Sequence, residues 1–295
     1  MNENTASSTA FTVMQGILYV ADYSEYRDRV PENLSDSCRR LLSTSVTGQK
    51  RLAELQNPFR RRLLKLKEKL LLPGIALHYV MRKRFIEDYV TEQIAHGAQQ
   101  VINLGAGFDT LMSRLAKQYP HINFIEVDHP ATQTIKLQSD EEQRDNFNFL
   151  PMRFDTDQLN EELLGADFFS RDVKTIYIIE GVLMYLCVDD VKKTFDALKK
   201  LGNNDIKIIF TAAQPFVNNP ESIGLLFSLY LKLKGEPLAW MCDKTALGEI
   251  FSTFGFTING IYGANEFIQR YLPSNFKDSL QTTEYIAIAC PDQFK

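Results

Sequence analysis

The residues of clearest chemical interest surround a glycine-rich turn, in the stretch QQVINLGAGFDTLMSRL (99–115). Gly105 and Gly107 stand between an apolar run and a helix-like pattern, where glycine lets the backbone come close to a ligand. A second apolar run ends in Asp128, about twenty residues further on. A carboxylate at that distance can accept hydrogen bonds from both hydroxyls of a ribose. The two features together predict a site for a ligand that contains a ribose.

The turn departs in two places from the GxGxxG fingerprint of dinucleotide-binding proteins. Thr110 stands where the fingerprint has its third glycine. Asp109 puts a negative charge in the first turn of the predicted helix, where it would repel a pyrophosphate and attract a cation. S-adenosylmethionine has a ribose, a sulfonium cation and no pyrophosphate, so it satisfies both features. A nicotinamide-dependent dehydrogenase remains an alternative, because two glycines after a strand are also typical of that class.

The elements that must position these residues are strands and helices in alternation. Apolar runs buried on both faces predict a mostly parallel sheet with helices on either side, a Rossmann-like, doubly wound α/β fold. Two later runs, FTINGIYG (256–263) and EYIAIAC (284–290), predict an antiparallel pair at one edge of the sheet. The five predicted parallel strands are VINLG (101–105), INFIEVD (122–128), FNFLPMRF (147–154), KTIYIIEG (174–181) and DIKIIFTAA (205–213).

The chain divides into two predicted regions. Residues 1–95 carry helical patterns and are interpreted as an N-terminal helical cap, and residues 96–295 as the Rossmann-like core. An insertion at about residues 214–250 follows the fifth strand, at the edge where open α/β sheets bind ligands. We interpret it as a lid over the site, with a helical excursion that only packs as the alternative.

Composition restricts the class of protein. The chain has 295 residues, of which 44% are hydrophobic, and its net charge of −4 disfavours a dedicated nucleic-acid binder. No signal peptide is recognised in MNENTASSTA, and no apolar stretch is long enough to cross a bilayer. We therefore expect a cytoplasmic protein with reduced thiols, no metal site and no membrane span. The four cysteines are far apart and form no CxxC pair: Cys38, Cys187, Cys242 and Cys290.

Four sequence blocks occur in order: RKRFIEDYV (82–90), QQVINLGAGFDT (99–110), FIEVDHPATQTIKLQ (124–138) and IIEGVLMYL (178–186). Through them the chain resembles the leucine carboxyl methyltransferase family of class I S-adenosylmethionine-dependent methyltransferases. The bacterial members of that family are commonly viewed as small-molecule O-methyltransferases, some of which act in polyketide tailoring. The resemblance therefore implies an S-adenosylmethionine-dependent O-methyltransferase that acts on a carboxylate or hydroxyl of a small molecule.

The resemblance also implies roles for single residues in cofactor binding. Arg82 would bind the methionine carboxylate of the cofactor, with Arg84 as the less favoured candidate, and Asp128 would bind the ribose. Asp155 would lie near the adenine, and Glu180 would face the cofactor beside the reaction centre. Plainer alternatives are a solvated helix face for the arginines and a capping role for the carboxylates. The turn residues assigned to the cofactor are Gly105, Gly107 and Asp109.

Tyr185 and Glu180 are the catalytic candidates, and the family's tyrosine at this place borders the substrate pocket. A carboxylate acceptor needs no general base, whereas a phenol or alcohol does, so a carboxylate is slightly preferred. His78 and His129 could also act as the base, although a structural role is favoured for each. Many bacterial relatives have an arginine where this chain has Leu111, so that position supports no inference about the substrate.

A basic stretch, RRRLLKLKEKLLLPG (60–74), is left outside this function. An acidic carrier protein or an anionic membrane surface could bind it. We favour a solvated basic face with the leucines packed into the core. Two other functions stay open: a cofactor-binding or regulatory protein without turnover, and the dehydrogenase. An RNA methyltransferase is disfavoured, because no basic strip with interleaved aromatic residues is present.

Overall fold

The computed structural model describes residues 8–139, 144–153, 158–202, 205–215 and 238–292. Its centre is a seven-stranded sheet in the order β3-β2-β1-β4-β5-β7-β6. The first five strands are parallel, and β7 runs antiparallel to both β5 and β6. The predicted α/β fold with an antiparallel edge pair is thereby confirmed. The strands are β1 (Gln100–Leu104), β2 (Asn123–Asp128), β3 (Phe147–Pro151), β4 (Thr175–Ile179), β5 (Ile206–Ala213), β6 (Phe256–Tyr262) and β7 (Glu284–Pro291).

Eleven α-helices within the described ranges surround the sheet. Five precede β1: α1 (Ser8–Tyr23), α2 (Leu34–Ser43), α3 (Val46–Gln56), α4 (Pro58–Leu71) and α5 (Ile75–Ala95). Six lie between or after the strands: α6 (Leu111–Gln118), α7 (Pro130–Ser139), α8 (Leu159–Leu164), α9 (Val188–Leu201), α10 (Lys244–Thr253) and α11 (Ala264–Tyr271).

The strands are apolar on both faces because each face covers a separate hydrophobic core. Val101 and Ile176 belong to a cluster that also contains side chains of α1, α2, α5 and α6. Their neighbours Ile102 and Tyr177 belong to a second cluster, which α8, α9 and α10 cover. Successive side chains of a strand point to opposite faces, so one apolar run supplies both cores.

A bidentate ion pair joins α5, the last of the N-terminal helices, to α6, the helix that follows β1. Arg114 of α6 donates from Nη1 to Glu87 Oε1 (2.8 Å) and from Nη2 to Glu87 Oε2 (2.6 Å), across to α5. Nη1 also donates to the carbonyl of Glu32, just before α2 (3.2 Å). The arginine side chain is only 5% exposed, so the pair ties two cap segments to the first helix of the core.

Two of the predicted helical segments are the lid and the basic stretch. The predicted lid at about 214–250 lies largely outside the described residues; the part that is described comprises residues 238–243, without helix or strand, and α10. The basic face of α4 is solvent-exposed as expected, but the expectation that its leucines are buried in the core is wrong, because α4 has no buried residue. Three of its leucines, Leu63, Leu66 and Leu70, are 44%, 52% and 61% exposed. Across the described ranges, the helices are too short or too polar for one to span a bilayer.

We expect Arg114→Met to destabilise the protein by about 3 kcal/mol, because the change leaves the Glu87 carboxylate without its partner. Urea unfolding followed by circular dichroism measures the effect. Lys193→Met is the matched control, since it breaks an exposed pair with Asp190 (Nζ–Oδ1 2.9 Å) that contributes little in water. Equal unfolding midpoints for the two variants would contradict a joining role for Arg114.

Candidate functional site

The glycine-rich turn follows β1 and adopts backbone conformations that other residues avoid. Gly105 has a φ of 68° and Gly107 a φ of 52°, both in the left-handed region. A Cβ atom on Gly105 would lie 2.4 Å from Cγ2 of Val182, so the close approach at this glycine is to a protein side chain. A Cβ atom on Gly107 would have 3.9 Å to its nearest neighbour. The open side of the turn is therefore at Gly107.

Asp128 is the last residue of β2 and binds the turn. Its Oδ2 accepts a hydrogen bond from the backbone N–H of Gly107, and its Oδ1 accepts one from the N–H of His129 (2.6 Å). Burial raises the pKa of Asp128 above its ordinary value, and the two backbone hydrogen bonds offset only part of this rise. The carboxylate thus lies against Gly107 and also has the capping contact that was its alternative role.

Asp109 lies before helix α6 and beside a lysine, whereas the sequence predicted a negative charge in the first turn of the helix. The helix α6 begins at Leu111, so Asp109 precedes the helix, and its Oδ1 accepts a hydrogen bond from the Leu111 N–H (3.1 Å). Lys83 Nζ lies 3.0 Å from the same oxygen. Burial alone would raise the pKa of Asp109, but Lys83 and other cations lower it to about 2. The negative charge is therefore paired with Lys83, and its repulsion of a phosphate is weaker than the sequence suggests.

Arg82 and Glu180 are in direct contact. Glu180 follows β4, and its Oε1 accepts a hydrogen bond from Arg82 Nε (2.8 Å) while its Oε2 accepts one from Lys83 Nζ (2.9 Å). Arg82 Nη1 donates to Glu284 Oε2 (2.5 Å), and His78 Nε2 lies 3.0 Å from that oxygen. Carboxylates and cations thus alternate along one buried chain of contacts.

The alternation determines the protonation of the chain's members. Burial would lower the pKa of Arg82, but the negative charges of Glu284 and Glu180 raise it above its ordinary value. Burial likewise favours neutral Glu284, yet the charge of Arg82 holds the pKa of that carboxyl at about 2. Both groups are therefore charged at neutral pH, and each stabilises the other.

The structure separates the two arginine candidates. Arg84 Nη1 donates to the Arg29 carbonyl (3.3 Å), and its guanidinium lies 5.8 Å from the centre of the Tyr271 ring. It lines a surface cleft together with four carboxylates, away from the glycine-rich turn. Arg82 lies at the turn's side of α5, and its Nη2 has no acceptor among the described residues. Of the two, Arg82 alone lies in the candidate site.

Two residues of the site were not predicted from the sequence. Lys83 stands next to Arg82, and neighbours on a helix normally face different surroundings. Both face inward here because α5 is buried over most of its circumference. Glu284 begins β7 and pairs with Ala213, the last residue of β5, so the antiparallel strand starts at the same sheet edge where β1, β2 and β4 end.

The remaining candidates are in different situations. Tyr185 is half-buried in a 3₁₀ turn, Leu183–Tyr185, and the carbonyl of Met184 in that turn accepts hydrogen bonds from the N–H groups of Ala239 and Trp240. Asp155 lies outside the described residues. The ring Nδ1 of His129 accepts a hydrogen bond from the Ala131 N–H (3.2 Å), which is a structural role at the start of α7.

The polar groups of the candidate site suit a ligand with hydroxyl groups, a carboxylate and a positive charge. Asp128 offers a carboxylate to hydroxyls, Arg82 offers a guanidinium to a carboxylate, and Gly107 leaves room beside Asp128. Glu284 Oε1 is buried and has no hydrogen-bond partner among the residues that the structure describes. Three carboxylates of the contact chain, against two cations, give it a formal charge of −1: Asp109, Glu180 and Glu284 against Arg82 and Lys83.

Comparison with known proteins gives relatives that are named as methyltransferases. A putative S-adenosyl-L-methionine-dependent methyltransferase of Bacillus subtilis, YktD, is 28% identical over 212 residues, which are 70% of this chain and 69% of that protein. Leucine carboxyl methyltransferase 1 of Caenorhabditis elegans is 30% identical over 145 residues, which are 40% of this chain and 44% of that protein.

Solved structures agree with the fold. A DUF574 family protein of Streptomyces avermitilis aligns with a TM-score of 0.62 over 97% of this chain and 98% of that one, at 11% identity. A putative methyltransferase of Thermobifida fusca aligns with a TM-score of 0.59 over 86% and 94%, at 14% identity. The sequence profile described as leucine carboxyl methyltransferase matches residues 20–199. Since this match covers more than half of the chain, the protein belongs to the leucine carboxyl methyltransferase family.

Proposed function

We propose that this protein transfers the methyl group of S-adenosylmethionine to an oxygen atom of a small molecule, with a carboxylate as the preferred acceptor. Family membership and the Bacillus subtilis relative support the cofactor and the methyl transfer. The observation that carries the proposal is the buried contact chain beside the glycine-rich turn, where Arg82, Glu180 and Asp128 lie at one edge of the sheet.

Charge supports the cofactor over a dinucleotide. S-adenosylmethionine carries a sulfonium, an ammonium and a carboxylate, so its net charge is positive. The contact chain has a formal charge of −1, and Asp128 adds a further carboxylate. A pyrophosphate would add negative charge to a site that is already negative, which is unfavourable where burial limits screening by water. The dehydrogenase alternative is disfavoured for this reason.

Three residues would hold the cofactor. Asp128 would accept hydrogen bonds from the ribose hydroxyls, exchanging part of its present bonding to Gly107 and His129. Arg82 would bind the methionine carboxylate through Nη2, while Glu180 and Glu284 fix the guanidinium through Nε and Nη1. Glu180, with both oxygens bound to cations, would contribute negative charge near the sulfonium. When bound, the cofactor supplies a methyl group on positively charged sulfur.

The protein's part in the reaction is to position the acceptor oxygen in line with the methyl group. Holding two reactants in that geometry can remove on the order of 7–11 kcal/mol from the barrier. A hydroxyl acceptor would in addition need a base. Asp109 and Glu284, each with a pKa of about 2, are weak bases, and His78 is buried against Glu284. These three residues of the contact chain therefore favour an acceptor that arrives ionised, such as a carboxylate, and Tyr185 stays the candidate to border it.

We expect Asp128→Ala to weaken S-adenosylhomocysteine binding about tenfold, because hydrogen bonds to a charged group are worth about 1.5–3 kcal/mol. Isothermal titration calorimetry measures the affinity. Asp189→Ala, at the exposed first turn of α9, removes the same group away from the site and should leave binding unchanged. Unaltered affinity in Asp128→Ala would contradict the assignment of the ribose site.

Incubation of the protein with labelled S-adenosylmethionine and a metabolite extract tests the acceptor. We expect a labelled product that mild base hydrolyses, because a methyl ester is cleaved under conditions that leave a methyl ether intact. Mass spectrometry before and after base treatment distinguishes the two. A base-stable product would replace the carboxylate with a hydroxyl, and cofactor binding without any product would favour the regulatory protein.

The contact chain also predicts how stability depends on pH. Glu284 has a lower pKa in the folded protein than the value of about 4.3 for an unfolded chain. Its ionisation therefore stabilises the fold above that unfolded pKa, and the contribution, of about 3 kcal/mol at most, is lost as pH falls towards 2. The stability difference between wild type and Glu284→Gln should shrink as pH falls from about 5 to 3.

Urea unfolding at successive pH values measures this difference. Glu249→Gln, at an exposed position of α10, removes a carboxyl group that is outside the contact chain. The stability difference of Glu284→Gln from wild type should change with pH more strongly than that of this control. A pH-independent difference in unfolding free energy between Glu284→Gln and wild type would show that Arg82 does not depend on Glu284 for charge compensation.

A further inference from the structure

The helix α4 is attached to the rest of the protein along one side only. Arg61 lies over the Tyr23 ring (3.9 Å from Cζ to the ring centre) and donates to the Leu55 carbonyl (2.9 Å). Three and seven residues further along, Leu64 packs against the core and Glu68 Oε1 accepts a hydrogen bond from the Ala76 N–H (3.3 Å). This spacing defines the inner face of α4.

The opposite side of α4 carries an apolar row. Phe59, Leu63, Leu66 and Leu70 are 77%, 44%, 52% and 61% exposed. Their spacing of four, three and four residues puts them on one face of the helix, from its first turn to its last. None of the described residues buries this row. Four large apolar side chains in one line are more than the scattered exposure that is normal at a protein surface.

Two rows of cations flank the apolar row. Arg60 and Lys67, seven residues apart, follow one flank, and Arg62 and Lys69, also seven apart, follow the other. Within the described ranges, none of the four forms an ion pair with a carboxylate. The helix contains six lysines and arginines and one glutamate, whereas the whole chain has a net charge of −4. Positive charge is thus concentrated on the helix that also exposes the apolar row.

We propose that α4 docks this protein on an anionic lipid bilayer. The apolar row would enter the boundary between headgroups and acyl chains, and the flanking cations would reach the negative headgroups on both sides. A helix of about four turns that is exposed on one side can lie flat on a bilayer surface along its whole length. A second copy of the chain is a poorer occupant, because pairing two such helices would bring rows of like charge together. An acidic protein would need a groove with carboxylates on both walls.

Sedimentation with lipid vesicles tests the proposal on the full chain. We expect binding to vesicles of phosphatidylcholine with about one third phosphatidylserine at least tenfold stronger than to phosphatidylcholine alone, and weaker at high salt. The measurement needs no cofactor and no turnover, so its failure and a failure of the proposed methyl transfer are distinguishable. Circular dichroism and S-adenosylhomocysteine binding check that each variant is folded.

The charge variant replaces the flanking cations by glutamine, at Arg60, Arg62, Lys67 and Lys69, and leaves Arg61 on the inner face intact. We expect it to lose at least tenfold in affinity for the anionic vesicles. Its matched control makes the same change of net charge at exposed lysines elsewhere: Lys50, Lys117, Lys192 and Lys193. The control should bind as wild type does, because its lysines lie outside the cation rows.

The apolar variant combines Leu63→Ser, Leu66→Ser and Leu70→Ser, and should lose vesicle binding at unchanged charge. Leu137, Leu164 and Val188, which are 49%, 50% and 54% exposed, give the matched control when changed to serine. Absent vesicle binding, or equal losses in variant and control, would overturn the proposal. A dimer that Leu66→Ser abolishes would replace the membrane by a second copy. Binding to soluble polyglutamate as tight as to vesicles would replace it by an acidic protein.

Discussion

The fold of the site depends on one constraint: five buried charges must each lie beside a charge of opposite sign. Glu284, Arg82, Glu180, Lys83 and Asp109 follow one another in contact, with at most 10% of any of these side chains exposed. A buried charge that loses its partner costs several kcal/mol, so none of the elements that supply these residues can shift alone. Helix α5, the ends of β1 and β4 and the start of β7 are held in register by this requirement.

The same constraint joins the two predicted regions of the chain. The cations come from α5, before residue 96, and the carboxylates come from the loops and strand of the core. A boundary near residue 95 therefore separates in sequence residues that the contact chain brings together in space. Glu180 and Glu284 hold the Arg82 guanidinium in position, so under the proposed function it would lose little freedom on binding a ligand carboxylate.

Local patterns predicted the parts of the protein that are local. The apolar runs predicted β1, β2, β4 and β5 because these strands are buried on both faces. The glycine-rich turn was recognised because two glycines stand between a strand and a helix, and left-handed backbone at Gly105 and Gly107 explains why glycine is there. Glu284 was missed because its contact with Arg82 joins residues 202 positions apart and no motif surrounds it. The leucines of α4 were assigned to the core because a basic helix rich in leucine more often buries its leucines and leaves its lysines in water.

The turn between α4 and α5 links the buried site to the exposed helix. Gly74 lies in this turn with a φ of 76°, and a Cβ atom there would be 2.0 Å from the Ser279 carbonyl oxygen. Such close packing against the segment before β7 fixes the direction in which α4 leaves α5. The outward-facing apolar row is therefore a property of the fold. A small rotation of α4 could bury the row only by disturbing the packing at Gly74.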